Sequence, residues 1–181
     1  MTLHRLGQNL KLQRMRLAHR FSVQSKPINF FEQIDRAEKI LLCLPPEEQG
    51  TFAALSFLPR VQQYLPNARL TLLYNKEIDI SKRVPKGAQP LAFDRSDLSF
   101  WGMPGREVRE QVRSTGFDVA VDFNLEFDFL SALLVQDSGA PLRLCFDHPR
   151  RETFCNLIIR LDLERSWDEA FQALLRVIVR E

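Results

Sequence analysis

No run in this sequence approaches the roughly 18 consecutive apolar residues that a membrane-spanning helix needs, and its start lacks the order of charge, apolar stretch and small residues that marks a secretory signal. A cytoplasmic protein is the expectation. Cysteine is scarce: Cys43, Cys145 and Cys155 are an odd number set in apolar segments, which points to reduced, buried thiols rather than a disulfide framework. The three cysteines form no pair of closely spaced ligand pairs, so no metal site is expected. Also missing are GxGxxG after the first strand, GxxxxGK[ST] and GxSxG, which leaves no support for a dinucleotide, a P-loop phosphate or a serine elbow, and no cofactor is expected.

Acid is absent from residues 1–26, where Arg5, Lys11, Arg14, Arg16, Arg20 and Lys26 give +6; subtracting this from the overall +2 leaves −4 on the other 155 residues. Segregated charge of this kind implies a partner for the arm itself. The acidic body carries no basic stripe interleaved with aromatics, so nucleic acid is not an expected partner.

The remaining composition is that of a soluble globular protein, 45% hydrophobic and 27% charged, and 181 residues suffice for one domain with an appendage. The division expected is an arm over 1–27 and one domain over 28–181. At about 100° per residue Leu3, Leu6, Leu10, Leu17 and Phe21 fall on one stripe, with Arg5, Arg16 and Arg20 behind it and Arg14 intruding. Such a basic amphipathic helix can fold back on its own domain, sit on an acidic protein partner, or lie on the anionic inner face of the cytoplasmic membrane. An acid-free, arginine-rich start also imitates an organelle transit peptide.

The body alternates strand and helix. Residues 117–123 read as a buried strand, Leu130, Leu133 and Leu134 as the helix after it, and 142–146 as the next strand, beyond the stop at Ser138-Gly139-Ala140-Pro141. Connections this short imply a parallel crossover. Upstream, 28–38 is a short amphipathic piece with Phe30, Phe31 and Ile34 as its apolar side. Strands are expected over 39–44, 69–74 and 89–94, and helices over 51–65 and 106–114; Pro59 should kink or split the first of these helices. Helices over 151–161 and 167–179 close the chain. The fold class is therefore α/β, a doubly wound parallel sheet, Rossmann-like, preceded by the helical arm.

In such sheets ligands sit beyond the carboxyl ends of the strands. Those ends offer Glu47 and Glu48, then Asp122 and Asn124, then Asp147, His148, Arg150 and Arg151. Carboxylates can hold hydroxyls and the arginine pair an anion, or Asp122 and Asn124 simply cap the following helix. Asp147 and His148 can present an imidazole near a carboxylate as a base, or be solvated loop residues. Phe100 and Trp101, in a loop, mark a contact site or a satellite core.

The segments KILLCLP, YLPNARLTLLY, GFDVAVDFN, SALLVQDSGAPLRLCFD and WDEAFQALLRVI, in this order over roughly residues 38–180, resemble the amino-terminal half of glycosyltransferase family 9, the bacterial heptosyltransferase-like enzymes. The resemblance implies half of a GT-B arrangement, in which two Rossmann-like domains face each other across a cleft, the first binding acceptor and the second sugar nucleotide. The family's catalytic aspartate, in a Gly-Asp pair after the first strand, falls at Gly50, with Glu47 and Glu48 three and two residues early. The basic residue before the family's Ser-Ala-Leu is Leu130, and the turn ahead of it carries Glu126 and Asp128. The chain ends where the linking helix would hand over to a second domain. Three functions follow as expectations: a non-catalytic scaffold subunit docked by its arm, the acceptor half of a two-chain transferase with Glu47 or Glu48 as base, or a sugar- or nucleotide-binding module.

Overall fold

Alternate residues of β1 (Lys39–Cys43) enter different cores, because side chains along a strand point to opposite faces. Ile40 and Leu42 join Leu70, Leu72, Val119, Val121 and Leu144, whereas Leu41 and Cys43 join Leu73, Ala120 and Cys145. Both faces are covered, as an all-parallel sheet requires. In this computed structural model the described residues are 28–94, 98, 103–161 and 166–179. The arm, with Leu3, Leu6, Leu10, Arg14, Leu17, Arg20 and Phe21, and the loop residues Phe100 and Trp101 lie outside them.

The other strands are β2 (Arg69–Asn75), β3 (Gln89–Phe93), β4 (Val119–Asp122), β5 (Leu142–Phe146) and β6 (Leu157–Ile159). They form one parallel sheet in the order β3-β2-β1-β4-β5-β6. The order reverses between β1 and β4, which makes the carboxyl ends of those strands the topological switch point. Pro90 is tolerated because β3 is an edge strand.

One face carries α1 (Phe30–Asp35), α2 (Glu48–Tyr64) and α5 (Trp167–Val179), and the other α3 (Arg106–Thr115) and α4 (Phe129–Asp137). Helix α5 lies on α2 through Phe171 and Phe57, whose rings stack at 4.8 Å. Local chemistry sets the boundaries. Gly116 ends α3 in the left-handed region at φ 67°, and Asp128 caps α4 by accepting from Ser131 N at 2.8 Å. Asp118 then fixes the entry to β1, its carboxylate accepting from Glu38 N and Lys39 N at 2.9 Å each.

Four local expectations are corrected. The helix expected over 151–161 is a turn leading into β6. There Asn156 extends the β5 ladder: its backbone N donates to Arg143 O, its Oδ1 accepts from Arg143 N and its Nδ2 donates to Pro141 O. Helix α2 is not split at Pro59, since Leu55, Leu58 and Val61 anchor it to the sheet on both sides of the proline. In α1 the buried apolar residue is Ile34, while Phe31 is 47% exposed. The cap of α4 is Asp128 and not Asp122 or Asn124, because six residues separate the end of β4 from the first turn of that helix.

Candidate functional site

At the switch point β1 leads through Leu44 to Glu47 into α2. Thr51 Oγ1 donates to Pro45 O at 2.6 Å, closing this turn tightly. Gly50 is buried in the first turn of the helix, and a Cβ there would meet Pro45 Cβ at 2.8 Å, Glu47 Oε1 at 2.9 Å and, closer still, the ring of Trp167 from α5. Real Cβ atoms essentially never come that near, and a proline ring and an indole, unlike the end of a glutamate, cannot swing aside cheaply. The position where the family resemblance sets a carboxylate is therefore closed by an aromatic side chain. Glu47 and Glu48 stand beside it exposed at the helix start.

Asp122, Asn124 and Arg151 come together, but inside the domain rather than in the crevice. Their exposures are 0%, 3% and 0%. Asp122 ends β4 between Cys43 of β1 and Cys145 of β5 in register, so one row of the sheet carries a carboxylate flanked by two thiols. Asn124 donates to Asp122 Oδ1 from both its backbone N, at 3.1 Å, and its Nδ2, at 2.5 Å. Arg151 donates to Phe146 O at 2.9 Å and to Glu126 O, and its Nε lies 3.4 Å from Asp122 Oδ2. That ion pair lacks hydrogen-bond geometry, and both atoms are without a hydrogen-bond partner. Burial pushes the Asp122 carboxyl up to about 6, against the opposing pull of Arg151 and Asn124. The cluster crosslinks the ends of β4 and β5 with the turn between β4 and α4. It leaves no surface for a ligand, which corrects the assignment of these three residues to a binding crevice.

Two of the buried thiols nearby are shifted as well. Burial, reinforced by Asp122, drives Cys43 well above its ordinary value, and Cys155 is raised by its hydrogen bond with Cys145 and by burial. All three cysteines are free and buried. Among the described residues no three His, Cys, Asp or Glu side chains are grouped to hold a metal.

The accessible rim is different. His148 and Arg150 meet Phe127, which residue patterning did not single out. The Phe127 and His148 rings stack with centroids 5.3 Å apart, and the Arg150 guanidinium lies 5.8 Å from the Phe127 centroid. His148 Nδ1 accepts from Arg150 N at 3.2 Å, an arrangement that fixes the ring's tautomer while it is neutral. Asp147 is half-buried, its backbone N donating to Ile159 O at 2.9 Å. The signal for Phe127 was an aromatic set between the acidic Glu126 and Asp128. Leu130, the position where the family resemblance sets a basic residue, is 8% exposed in an apolar helix.

No protein-family model matches the sequence, and no curated protein matches it. Solved structures do. A family 9 glycosyl transferase from Veillonella parvula superposes with a TM-score of 0.62 at 15% identity, over 80% of this chain and 42% of that one. The E. coli ADP-heptose lipopolysaccharide heptosyltransferase II follows at 0.55 and 19% identity, over 75% and 39%. An E. coli heptosyltransferase with ADP-2-deoxy-2-fluoro heptose gives 0.54 and 10%, over 78% and 47%. The chain thus spans less than half the length of each of these structures, and it has the Rossmann-like α/β fold that part of these glycosyltransferases shares.

Proposed function

We propose that this chain is a glycosyltransferase-like domain without transferase chemistry of its own, acting as a binding or scaffold subunit that its basic arm docks onto a larger protein assembly. The observation that carries this reading is the closure of Gly50 by Trp167 and Pro45, which denies a general base the place that the family resemblance gives it. Leu130, in place of a cation, and the acidic Glu126 and Asp128 ahead of it argue in the same direction, since a phosphorylated acceptor would meet the wrong charge. On this reading the arm's +6 is what an acidic partner surface would attract. On this reading the protein works in the cytoplasm, where reduced thiols persist, with the inner membrane face as the alternative surface for the arm. Among the described residues no helix is long and apolar enough to cross a membrane.

Recovery of partners with the tagged full-length chain, compared with a chain lacking residues 1–26, tests the docking role. The proposal expects recovery to fall at least tenfold; equal recovery contradicts it.

A second reading is favoured by the coverage, because the structures that match are more than twice as long as the matched part. A separate chain would then supply a donor domain, with exposed Glu47 or Glu48 as base at the start of α2. Copurification of a chain that binds nucleotide-sugar, with turnover lost in Glu47→Gln or Glu48→Gln, would establish it.

A further inference from the structure

Buried Arg151 holds two turns at once. Its Nη1 donates to Phe146 O at 2.9 Å, at the end of β5, and its Nη2 to Glu126 O, in the turn between β4 and α4. Both carbonyls adjoin the accessible rim. Glu126 directly precedes Phe127, and Phe146 comes two residues before His148, whose ring stacks on Phe127. Buried carbonyls keep their hydrogen-bond partners, so a displacement of the guanidinium is passed to both sides of that stack. The remaining edge of Arg151 is not engaged in the same way. Its Nε lies 3.4 Å from Asp122 Oδ2, and neither atom has a hydrogen-bond partner.

We propose that Arg151 is a pH-sensitive latch: ionisation of Asp122 draws Nε onto the carboxylate and thereby shifts the two turns that carry Phe127 and His148. A buried carboxylate needs hydrogen bonds on both oxygens to offset its desolvation. Oδ1 has two, from Asn124 N at 3.1 Å and Nδ2 at 2.5 Å, whereas Oδ2 has none. A charge-assisted N–H···O bond settles at about 2.8 Å, so ionisation closes the gap to Nε by roughly half an ångström. The guanidinium is planar and rigid, and its other two edges move with the first.

The groups that face Asp122 are drawn from every element around it. They are Arg151 and Cys155 from the turn before β6, Cys43 of β1, Cys145 beside it on β5, Asn124, and Asp128 at the start of α4. Arg151 keeps its charge throughout. Cys43 stays a thiol because burial raises it, and Cys155 because its hydrogen bond with Cys145 and burial raise it. The Asp122 carboxyl, pushed up to about 6 by burial, changes charge close to neutrality. The latch rests on the geometry of this cluster and not on the docking reading.

NMR titration of the full-length chain carrying His148→Phe tests it, since that substitution keeps an aromatic ring in the stack and removes the histidine's own titration. The Asp122 carboxyl carbon, the Arg151 Nε–H and the ring-to-ring NOE between positions 127 and 148 should all change with one inflection near pH 6. The methyls of Leu91, on β3, should stay in place. Adding Asp122→Asn should remove the inflection from Arg151 and from the rings. A ring-to-ring NOE that stays constant while Asp122 titrates overturns the latch, and this comparison needs no substitution at Asp122. An inflection of the rings that survives Asp122→Asn overturns it as well.

Discussion

The indole of Trp167, at the start of α5, occupies the space into which a side chain on Gly50 of α2 would project. Glycine is selected here by close approach between two helices and not by backbone conformation, since Gly50 lies within a regular helix. The contact ties the switch-point turn to the helix that covers it.

Gly50→Ala should therefore lose stability despite the better helix propensity of alanine. Overpacking typically costs ~1–3 kcal/mol, against ~1 kcal/mol gained from propensity. Urea unfolding of Gly50→Ala, Trp167→Ala and the double variant forms a cycle in which the alanine penalty shrinks once the indole is gone, with a coupling on the order of 0.5–3 kcal/mol. An unchanged or raised midpoint for Gly50→Ala would show that the turn has room for a side chain.

The buried carboxyl gives a pH prediction. Asp122 titrates at about 6 in the folded chain against 3.8 ordinarily, so between those values the folded state holds a proton that the unfolded state has lost. Its contribution is fully present below about pH 4 and is lost as pH rises through 6. Relative to Asp122→Asn, the wild type should gain on the order of 2–3 kcal/mol between pH 7 and pH 4. A difference that stays flat, or grows toward neutral pH, would mean that Arg151 holds the carboxylate ionised.

Arg151 is fully buried, and the same cluster makes it costly to lose. Arg151→Met should destabilise by ~3–5 kcal/mol at pH 7, because it strands the carboxylate of Asp122 without a counter-charge. Asp122→Leu combined with Arg151→Met should recover part of that loss. If the double variant is less stable than Arg151→Met alone, the hydrogen bonds of Asn124 to Asp122, and not the charge pair, carry the cluster.

Thiol titration should find Cys43, Cys145 and Cys155 unreactive in the native chain and all three reactive in urea, since their exposures are 0%, 1% and 5% and a reagent cannot reach them in the folded state. Fast native reaction of any one of them would show that the sheet's second face opens readily.

The architecture was legible because its determinants are local. Continuous apolar runs such as Ile40 to Leu44, entered and left through turn residues, specify strands whatever packs on them, and the short crossover fixes their direction. The end of the chain misled where periodicity and pairing conflict. Residues 151–161 carry apolar side chains at helical spacing, yet the ladder bonds of Asn156 to Arg143 commit them to the sheet. The site was less legible still. A polar residue at a strand's end reads as a ligand contact, but whether Asp122 faces a crevice or a core depends on Arg151, 29 positions away in sequence. The closure of Gly50 likewise depends on Trp167, from the far end of the chain, and no local pattern encodes it.

The absence of transferase chemistry in this domain is tested most directly by purifying the native complex with wild-type chain and with the chain carrying both Glu47→Gln and Glu48→Gln, and measuring nucleotide-sugar turnover by each at equal partner content. The account predicts the same rate from both, whether that rate is that of a partner enzyme or zero. A loss of tenfold or more in the doubly substituted complex, with its composition intact, would contradict it and assign the chemistry to the start of α2.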